Sequence, residues 1–131
     1  MCHDLAFQLE TWKPDLIVGV VRGGVVPALH LSHELEKPMD VISWQTRDNT
    51  KQEHKNSIIE SILSGARVAF VDDINDSGRT FQEIKKTYAV GDDPQVKFVS
   101  LVQKTCTALT SDHCSLILGN EKWIVYPWEK V

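Results

Sequence analysis

The sequence has few cysteines, no long apolar run and no excess of positive charge. Its three cysteines, Cys2, Cys106 and Cys114, form neither an even set nor a CxxC pair, which favours neither a disulfide framework nor a zinc site. No apolar stretch approaches the roughly 20 residues that a membrane-spanning helix needs, and the N-terminus lacks the basic and apolar regions of a secretory signal. We therefore expect a cytoplasmic protein, with no membrane partner, whose cysteines are buried or free thiols.

The charge balance limits the choice of partners. With 14 lysines and arginines against 18 aspartates and glutamates, the net charge is −4. Nucleic-acid-binding domains usually present a basic face, so no nucleic-acid partner is expected and any anionic ligand must be held by local groups. The 131 residues, 42% of them hydrophobic and 24% charged, indicate one folded domain over residues 1–131 without an internal linker.

Strand-like and helix-like segments alternate along the chain. The strands are short and apolar throughout, which is typical of a parallel sheet covered by helices on both faces, so the sequence predicts an α/β fold. Ligands of such sheets bind beyond the carboxyl ends of the strands. Predicted strands cover residues 15–20, 39–43, 67–71, 96–102 and 114–118; predicted helices cover 5–12, 27–36, 57–63 and 80–88; and the polar segment 44–56 is predicted to be an exposed loop that acts as a lid.

The most informative segment is VAFVDDINDSGRT, residues 68–80. An apolar strand runs into two carboxylates, Asp72 and Asp73, and the turn that follows enters a helix. Backbone N–H groups and hydroxyls at the start of a helix favour a phosphate, and Gly78 permits close approach of the backbone. Because carboxylates repel a phosphate, the paired acids suit sugar hydroxyls or magnesium, and the two sites together describe a ribose 5-phosphate. The alternative is an acidic turn that only caps the helix.

This segment resembles the signature of the type I phosphoribosyltransferases: four apolar residues, two acids, two mostly apolar positions, then Asp-Ser/Thr-Gly-any-Thr. Asn75 alone departs from the pattern, being polar where the family usually has an apolar residue. The resemblance implies a central, mostly parallel sheet with helices on both faces and a small C-terminal hood over residues 104–131. It also implies transfer of the 5-phosphoribosyl group from phosphoribosyl pyrophosphate (PRPP) to a nucleobase, with release of pyrophosphate and Mg²⁺ as cofactor.

The resemblance also assigns roles within the motif. Asp72 and Asp73 would hold the ribose and the magnesium shell of PRPP, with Asp73 as the metal ligand. Asp76 would act as acid or base at N7 of a purine, because a carboxylate can take the proton there as the glycosidic bond forms at N9. The 5′-phosphate would be bound by the five residues Asp76, Ser77, Gly78, Arg79 and Thr80.

A second anion-binding turn is predicted after the first strand, at Val21-Arg22-Gly23-Gly24. Paired glycines let backbone amides surround an anion, and Arg22 adds a fixed charge. By resemblance, Arg22, Gly23 and Gly24 bind the pyrophosphate of PRPP, often through a non-proline cis peptide. An ordinary glycine-rich turn is the alternative, and the segment is neither a GxxxxGK[ST] loop nor a GxGxxG loop.

Within the family, the chain is most similar to the short prokaryotic xanthine–guanine phosphoribosyltransferases. The similarity lies in the segments VVRGGVVPALHLSHEL, FVSLVQK and WIVYPWE. It implies that Lys104 donates to the purine O6, that Trp123 stacks on the base and that the backbone of Ile124 reads its edge. Guanine, xanthine or hypoxanthine is then the expected acceptor. The alternative is a surface lysine and a tryptophan-rich segment packed on the core.

Two other functions stay open. One is a PRPP-binding regulatory or interaction protein without turnover, which the intact acids of the motif disfavour. The other is a phosphoribosyltransferase with a non-purine acceptor, which Lys104 and Trp123 disfavour. The family resemblance and the small size also favour a homodimer or a larger homo-oligomer.

Other polar residues receive weaker interpretations. Arg47, Lys51 and Lys55 of the lid are expected to meet the pyrophosphate. His30 and His33 lie in the order HLSHE, which is neither HExxH nor HxxEH, so a metalloprotease site is excluded and the histidines are interpreted as helix-surface or subunit-contact residues.

Overall fold

The computed structural model describes residues 1–45, 51–88, 91, 93–105, 107–119 and 125–127. The described helices are α1 (Cys2–Glu10), α2 (Val25–Leu35), α3 (Asn56–Leu63) and α4 (Arg79–Thr87). The described strands are β1 (Leu16–Val21), β2 (Met39–Gln45), β3 (Lys51–Gln52), β4 (Val68–Asn75), β5 (Val96–Lys104) and β6 (His113–Leu118). No helix in these ranges is long and apolar enough to cross a membrane.

The strands form one sheet in the order β3-β2-β1-β4-β5-β6. Five of them, from β2 to β6 in that order, are parallel to their neighbours, and the two-residue β3 is antiparallel to β2. The predicted α/β class with a mostly parallel sheet is therefore confirmed. The chain moves outward from β1 to β2 and later returns to place β4 on the other side of β1. The loops after β1 and β4 consequently border one crevice at the carboxyl edge, where ligands of such sheets bind.

The apolar strands bury side chains on both faces of the sheet. Along β4, Val68 and Phe70 join the cluster beneath α3 and α4, whereas Ala69 and Val71 join the cluster beneath α1 and α2. This alternation follows from the two-residue period of a strand. It explains why the sequence of a strand covered on both faces is continuously apolar.

Strand β4 extends further than its apolar residues predict. It was expected to end at residue 71, but Asp72, Ile74 and Asn75 continue the parallel pairing with β5, opposite Ser100, Val102 and Gln103. Backbone pairing does not require apolar side chains, so the acidic residues prolong the strand. The two carboxylates therefore lie on a fixed strand and not in a loop.

The exposed-loop prediction for residues 44–56 is wrong at its start. Trp44 belongs to β2 and is only 5% exposed, because its side chain packs in the core with Ile42. Its indole Nε1–H donates to Oε1 of Glu83 at 3.2 Å, which satisfies the polar edge of the ring. The β2–β3 pairing continues this strand beyond its predicted end. Residues 46–50 lie outside the described residues.

The predicted helix starts were also late. Helix α1 begins at Cys2 and α2 at Val25, whereas residues 5 and 27 were expected. Pro27 lies in the first turn of α2, where a proline costs no intrahelical hydrogen bond.

Candidate active site

A cavity of about 380 Å³ opens at the carboxyl end of β4 and is lined by residues 72–81. It contains both acids and all five residues predicted to bind the 5′-phosphate. Its volume is within the range of small-molecule sites. A second cavity, of about 450 Å³, lies between α1 and α2 and contains none of the predicted site residues.

The turn from β4 into α4 has the backbone shape predicted for an anion site. Gly78 precedes the helix at φ +86°, and no side chain caps α4. Ser77 Oγ accepts a hydrogen bond from the N–H of Arg79 at 3.2 Å, while Asp76 and Ser77 are exposed. Neither Asp76 nor Ser77 occupies the N-cap position, because the left-handed Gly78 does, and Ser77 Oγ contacts the first N–H of the helix from the residue before it. The first turn of the helix directs its N–H groups toward this loop.

Gly78 is required by close packing as well as by its conformation. A Cβ at this position would stand 2.5 Å from the backbone nitrogen of Leu109 and 2.7 Å from Oγ1 of Thr107. The segment 107–111, between β5 and β6, thus forms the inner wall of the turn. We call it the wall segment.

The two acids are held by the strand's own backbone. Asp72 Oδ1 accepts from the N–H of Asp73, and Asp73 Oδ1 accepts from the N–H of Ile74, both at 2.8 Å. Burial raises the pKa of Asp72 well above its usual value, and the neighbouring carboxylate of Asp73 raises it further. None of these contacts gives the two carboxylates a positively charged partner. Their remaining oxygen atoms are therefore suited to accept hydrogen bonds from sugar hydroxyls or to bind a cation.

The β1–α2 loop lies directly against the acids. The Val21–Arg22 peptide is cis, as the resemblance implies, and Arg22 is exposed. A Cβ on Gly23 would overlap the carboxyl group of Asp73, and a Cβ on Gly24 would overlap the carbonyl oxygen of Val71. The paired glycines are therefore explained by contact between this loop and strand β4, about fifty residues away in sequence.

The base side is described in part. Lys104 ends β5 and is 2% exposed, with its Nζ donating to the carbonyl of Gly119 at 3.3 Å. The alternative of a surface lysine is therefore wrong. Tyr126, 3% exposed, donates its hydroxyl to the carbonyl of Asp73 at 2.7 Å, which ties residues 125–127 to β4 beside the acids. Trp123 and Ile124 lie outside the described residues.

The lid lysine predicted to meet pyrophosphate has a different partner. Lys55 Nζ pairs with Asp40 Oδ1 at 2.8 Å, and Asp40 lies beside Val18, three residues before β1 ends. The prediction for Lys55 is therefore wrong, because the ion pair holds its side chain away from the carboxyl edge. Arg47 and the side chain of Lys51 lie outside the described part of the chain.

Other candidates are surface or thiol residues. His30 and His33 are exposed on α2, as predicted. Cys2 and Cys114 are free thiols, and Cys106 lies outside the described residues. Over the ranges that the structure describes, no three histidine, cysteine, aspartate or glutamate side chains cluster to hold a metal on their own.

A buried polar network behind the turn was missed by the sequence analysis. Asn75, Ser100 and Gln103 are at most 6% exposed, yet all three carry polar side chains on neighbouring strands. Their side chains are hydrogen-bonded to the wall segment: Asn75 to both Thr107 and Ser111, and Ser100 and Gln103 to Ser111. Two signals were available: the off-pattern Asn75, and polar residues inside the apolar strand VKFVSLVQK.

Comparison with known proteins connects this geometry to a family. The family model described as phosphoribosyl transferase domain matches residues 2–129. The xanthine-guanine phosphoribosyltransferase of Cereibacter sphaeroides is 29% identical, over 95% of this chain and 78% of that protein. Its counterpart from Idiomarina loihiensis is 28% identical, over 93% of this chain and 75% of that protein.

A solved structure gives the same result for the fold. The purine phosphoribosyltransferase from Pyrococcus horikoshii superposes with a TM-score of 0.81 at 33% identity, covering 99% of this chain and 87% of that one. The expected type I phosphoribosyltransferase fold is therefore confirmed. Because the family model spans nearly all of the chain, and the two glycine-containing turns and the paired acids meet at one edge of that fold, the chain belongs to the phosphoribosyltransferase family and is a phosphoribosyltransferase.

Proposed function

We propose that this enzyme transfers the 5-phosphoribosyl group from PRPP to a 6-oxopurine, namely guanine, xanthine or hypoxanthine, and releases pyrophosphate and the nucleoside monophosphate. The observation that carries the proposal is the contact between Gly23 and the carboxyl group of Asp73, which sets the two anion-binding turns on either side of the paired acids. A substrate with a phosphate at one end, a diol in the middle and a diphosphate at the other end matches that order. The purine acceptor is supported by the names of the relatives described above.

The three parts of PRPP are assigned to three groups of residues. The turn at residues 76–80 takes the 5′-phosphate, with backbone N–H groups and hydroxyls as donors. The carboxylates of Asp72 and Asp73 accept hydrogen bonds from the ribose hydroxyls. The pyrophosphate is bound by the β1–α2 loop, through Arg22, Gly23 and Gly24.

The acids also fit a magnesium ion that arrives with the substrate. Magnesium is typically held in proteins by one or two carboxylates, with substrate phosphates and water completing its shell. Asp72 and Asp73 supply that many carboxylates. Burial and the charge of Asp73 raise the pKa of Asp72, and a bound cation would counter both effects by stabilising the charged form of the pair. Asp73, beside Gly23, is the residue assigned to the metal, and the bound ion would neutralise charge on the leaving pyrophosphate.

The chemical step is a displacement at the ribose carbon C1. The bond from C1 to pyrophosphate breaks, through an oxocarbenium-like state, as the bond from C1 to the purine N9 forms. The purine loses the proton carried at N7, and we assign Asp76 as the base that takes it. Its carboxylate is exposed at the edge of the cavity, within reach of a second substrate.

The acceptor is assigned to the end of β5. Lys104 donates from Nζ to the purine O6, and its burial lowers the competition from water for that hydrogen bond. Trp123 is assigned to stack on the base and the backbone of Ile124 to read its edge. Residues 104–131 are assigned to the hood and residues 44–56 to the lid, except Trp44, which is a buried residue of β2.

A panel of nucleobases tests the acceptor. Purified enzyme is incubated with PRPP, Mg²⁺ and one base, and pyrophosphate release is measured. We expect turnover with at least one of guanine, xanthine and hypoxanthine, and none with adenine, uracil or orotate. Turnover with a pyrimidine alone would show a non-purine acceptor. PRPP binding without product from any base would show a regulatory or interaction protein.

Asp76→Asn tests the chemical role. We expect kcat to fall by roughly 100-fold or more, the usual contribution of a positioned acid or base, while PRPP still binds. Glu60→Gln, an exposed acid on α3, is the matched control and should retain full activity. Undiminished turnover by Asp76→Asn would remove the proton-transfer role.

The proposal retains a cytoplasmic location and a homodimer or larger assembly. Phe7 on α1 and Leu29 on α2 are 75% and 45% exposed, which makes these helices the surface that an interface between copies would bury. Sedimentation analysis measures the assembly directly. A monomer at micromolar concentration would contradict this part of the proposal.

A further inference from the structure

Asn75 follows the two acids on β4 and bonds to the wall segment with both ends of its amide. Nδ2 donates to the carbonyl of Leu109 at 2.7 Å and to Oγ of Ser111 at 3.1 Å. Oδ1 accepts from Oγ1 of Thr107 at 3.2 Å, and this hydroxyl also lies 3.0 Å from the Leu109 carbonyl. One side chain therefore contacts three residues of the wall segment.

The wall segment is braced from β5 as well. The N–H of Ser111 donates to Oε1 of Gln103 at 2.6 Å, and Oγ of Ser111 is 2.7 Å from Oγ of Ser100. Within the described residues, no buried side-chain nitrogen or oxygen is left without a hydrogen-bond partner. A fully satisfied buried network of this kind favours a single rigid arrangement.

The braced segment is in direct contact with the phosphate turn. The N–H of Ala108 donates to the carbonyl of Ser77 at 2.8 Å. Gly78 lies so close to Leu109 and Thr107 that not even a Cβ fits between them. The position of the turn is thus fixed from behind by residues that do not face its ligand.

We propose that Asn75 is a positioning residue for the 5′-phosphate. It holds the wall segment against Ser77 and Gly78 and so fixes the shape of the turn that receives the phosphate. An apolar residue at this position, which the family pattern favours, would fill the space but would leave the carbonyl of Leu109 and the hydroxyl of Thr107 without this amide. The inference rests on the proposed assignment of residues 76–80 to the 5′-phosphate.

Two ligands that report on different parts of the site test this role. Ribose 5-phosphate occupies the phosphate turn and the acids, whereas pyrophosphate occupies the β1–α2 loop. Each is titrated calorimetrically, with Mg²⁺, into wild type and Asn75→Val. We expect the affinity for ribose 5-phosphate to fall about tenfold, the size of one or two lost hydrogen bonds, and the affinity for pyrophosphate to change less than twofold. In turnover, the KM for PRPP should rise while the KM for the base stays constant.

Thr107→Val provides a second variant should Asn75→Val fail to fold. It should lower the affinity for ribose 5-phosphate and leave the affinity for pyrophosphate unchanged, as expected for Asn75→Val. The double variant should bind more tightly than the product of the two single effects predicts, because both remove parts of one network. Ile58→Val, a buried truncation on α3, is the control for a general loss of packing and should leave both affinities unchanged.

The outcomes separate this inference from the proposed function. Equal affinity of wild type and Asn75→Val for ribose 5-phosphate would overturn the positioning role. An equal loss of affinity for ribose 5-phosphate and for pyrophosphate would overturn it as well. Absence of pyrophosphate release by wild type with any base would overturn the proposed reaction, yet the ribose 5-phosphate titration would still decide the role of Asn75. If wild type does not bind ribose 5-phosphate, the phosphate assignment fails and the inference fails with it.

Discussion

Two adjacent glycines of the β1–α2 loop contact different kinds of atoms. A Cβ on Gly23 would meet the carboxyl group of Asp73, which is the tip of a side chain and can turn aside. A Cβ on Gly24 would meet the carbonyl of Val71 and the backbone of Val20, which belong to paired strands and cannot. The same substitution therefore has different consequences at the two positions.

Gly24→Ala is expected to lower the free energy of unfolding by about 1–3 kcal/mol, the usual cost of overpacking. Gly23→Ala is expected to change it by less than about 0.5 kcal/mol but to weaken PRPP binding, because the carboxylate of Asp73 is displaced. Urea unfolding and PRPP titration of both variants measure these effects. Equal destabilisation by the two substitutions would contradict the distinction.

Most of the proposed ligand-facing residues could be predicted individually, because a phosphate, a diol and a diphosphate demand recognisable chemistry within short segments. Asn75 and Lys55 show the limit of predicting a residue's role from a short segment of sequence. Asn75 acquires its role from the wall segment, which is more than thirty residues away in sequence. Lys55 forms an ion pair with Asp40 of β2. Side-chain partners of this kind depend on the packed sheet and leave no local pattern.

Among the elements, the β5–β6 pair carries a titratable group far from the active site. His113 begins β6, with Nε2 3.2 Å from Nζ of Lys97 and Nδ1 3.2 Å from Oε1 of Gln8 on α1. Burial lowers the pKa of His113, and the positive charge of Lys97 lowers it further, with Asp112 opposing. The neutral ring can accept from Lys97 and donate to Gln8, whereas the protonated ring cannot accept.

The stability that His113 contributes to the protein should therefore decrease in mildly acidic solution. The pKa of His113 in the folded state lies below the ordinary histidine value of 6.5, so its proton binds more tightly to the unfolded chain. The stabilisation is present above pH 6.5 and is lost as the pH falls through the lowered pKa. Thermal unfolding of wild type and His113→Asn between pH 8 and pH 5 measures this. We expect the difference in Tm between the two proteins to shrink as the pH falls.

His33→Asn, which removes an exposed histidine from α2, is the control and should follow the wild-type curve. If the wild-type and His113→Asn curves run parallel over the whole pH range, His113 does not titrate differently in the two states.

The apolar patterns in the sequence predicted which segments are helices and which are strands, but not the residues at which these helices and strands end. β4 continues through Asp72 to Asn75 because β5 lies beside it, and β2 takes in Trp44 because Glu83 satisfies the indole. Glu83 also accepts from Gln52 of β3 at 2.9 Å and from Arg79 at 2.8 Å. The contacts from Trp44 and Gln52 reach Glu83 from elements that are distant in sequence, so no local window contains them, whereas Arg79 and Glu83 are an i,i+4 pair within α4.

Over the whole molecule, the candidate site is assembled by the pairing of β1 with β4 and of β4 with β5. Its parts come from the β1–α2 loop, from β4 with the turn that follows it, and from the end of β5, which are far apart in sequence and meet only in the folded sheet. A ligand of this site is therefore expected to bind the native state and not the unfolded chain. Binding should stabilise the complete domain and not one segment of it.

PRPP with Mg²⁺ at about 100 times its dissociation constant should raise the free energy of unfolding by roughly 2.7 kcal/mol, which corresponds to a rise in Tm of roughly 10 °C for a domain of this size. Scanning calorimetry should show one transition that moves as a whole. Free ribose at the same concentration, which lacks both phosphoryl groups, is the control. An unchanged Tm with saturating PRPP would contradict the assignment of the crevice.

The strand order also bears on how such a chain tolerates insertions. The two turns proposed to bind anions follow the adjacent strands β1 and β4, whereas β3 and β6 form the two edges of the described sheet. Extra residues on the outer side of an edge strand, away from the wall segment, would extend the domain outward without entering the β1–β4 crevice. Lengthening either turn beside Gly23 or Gly78 would instead force apart contacts that have no room for a single added carbon. Differences in length among homologues should accordingly accumulate at the edges, and engineered tags or inserted domains belong there too.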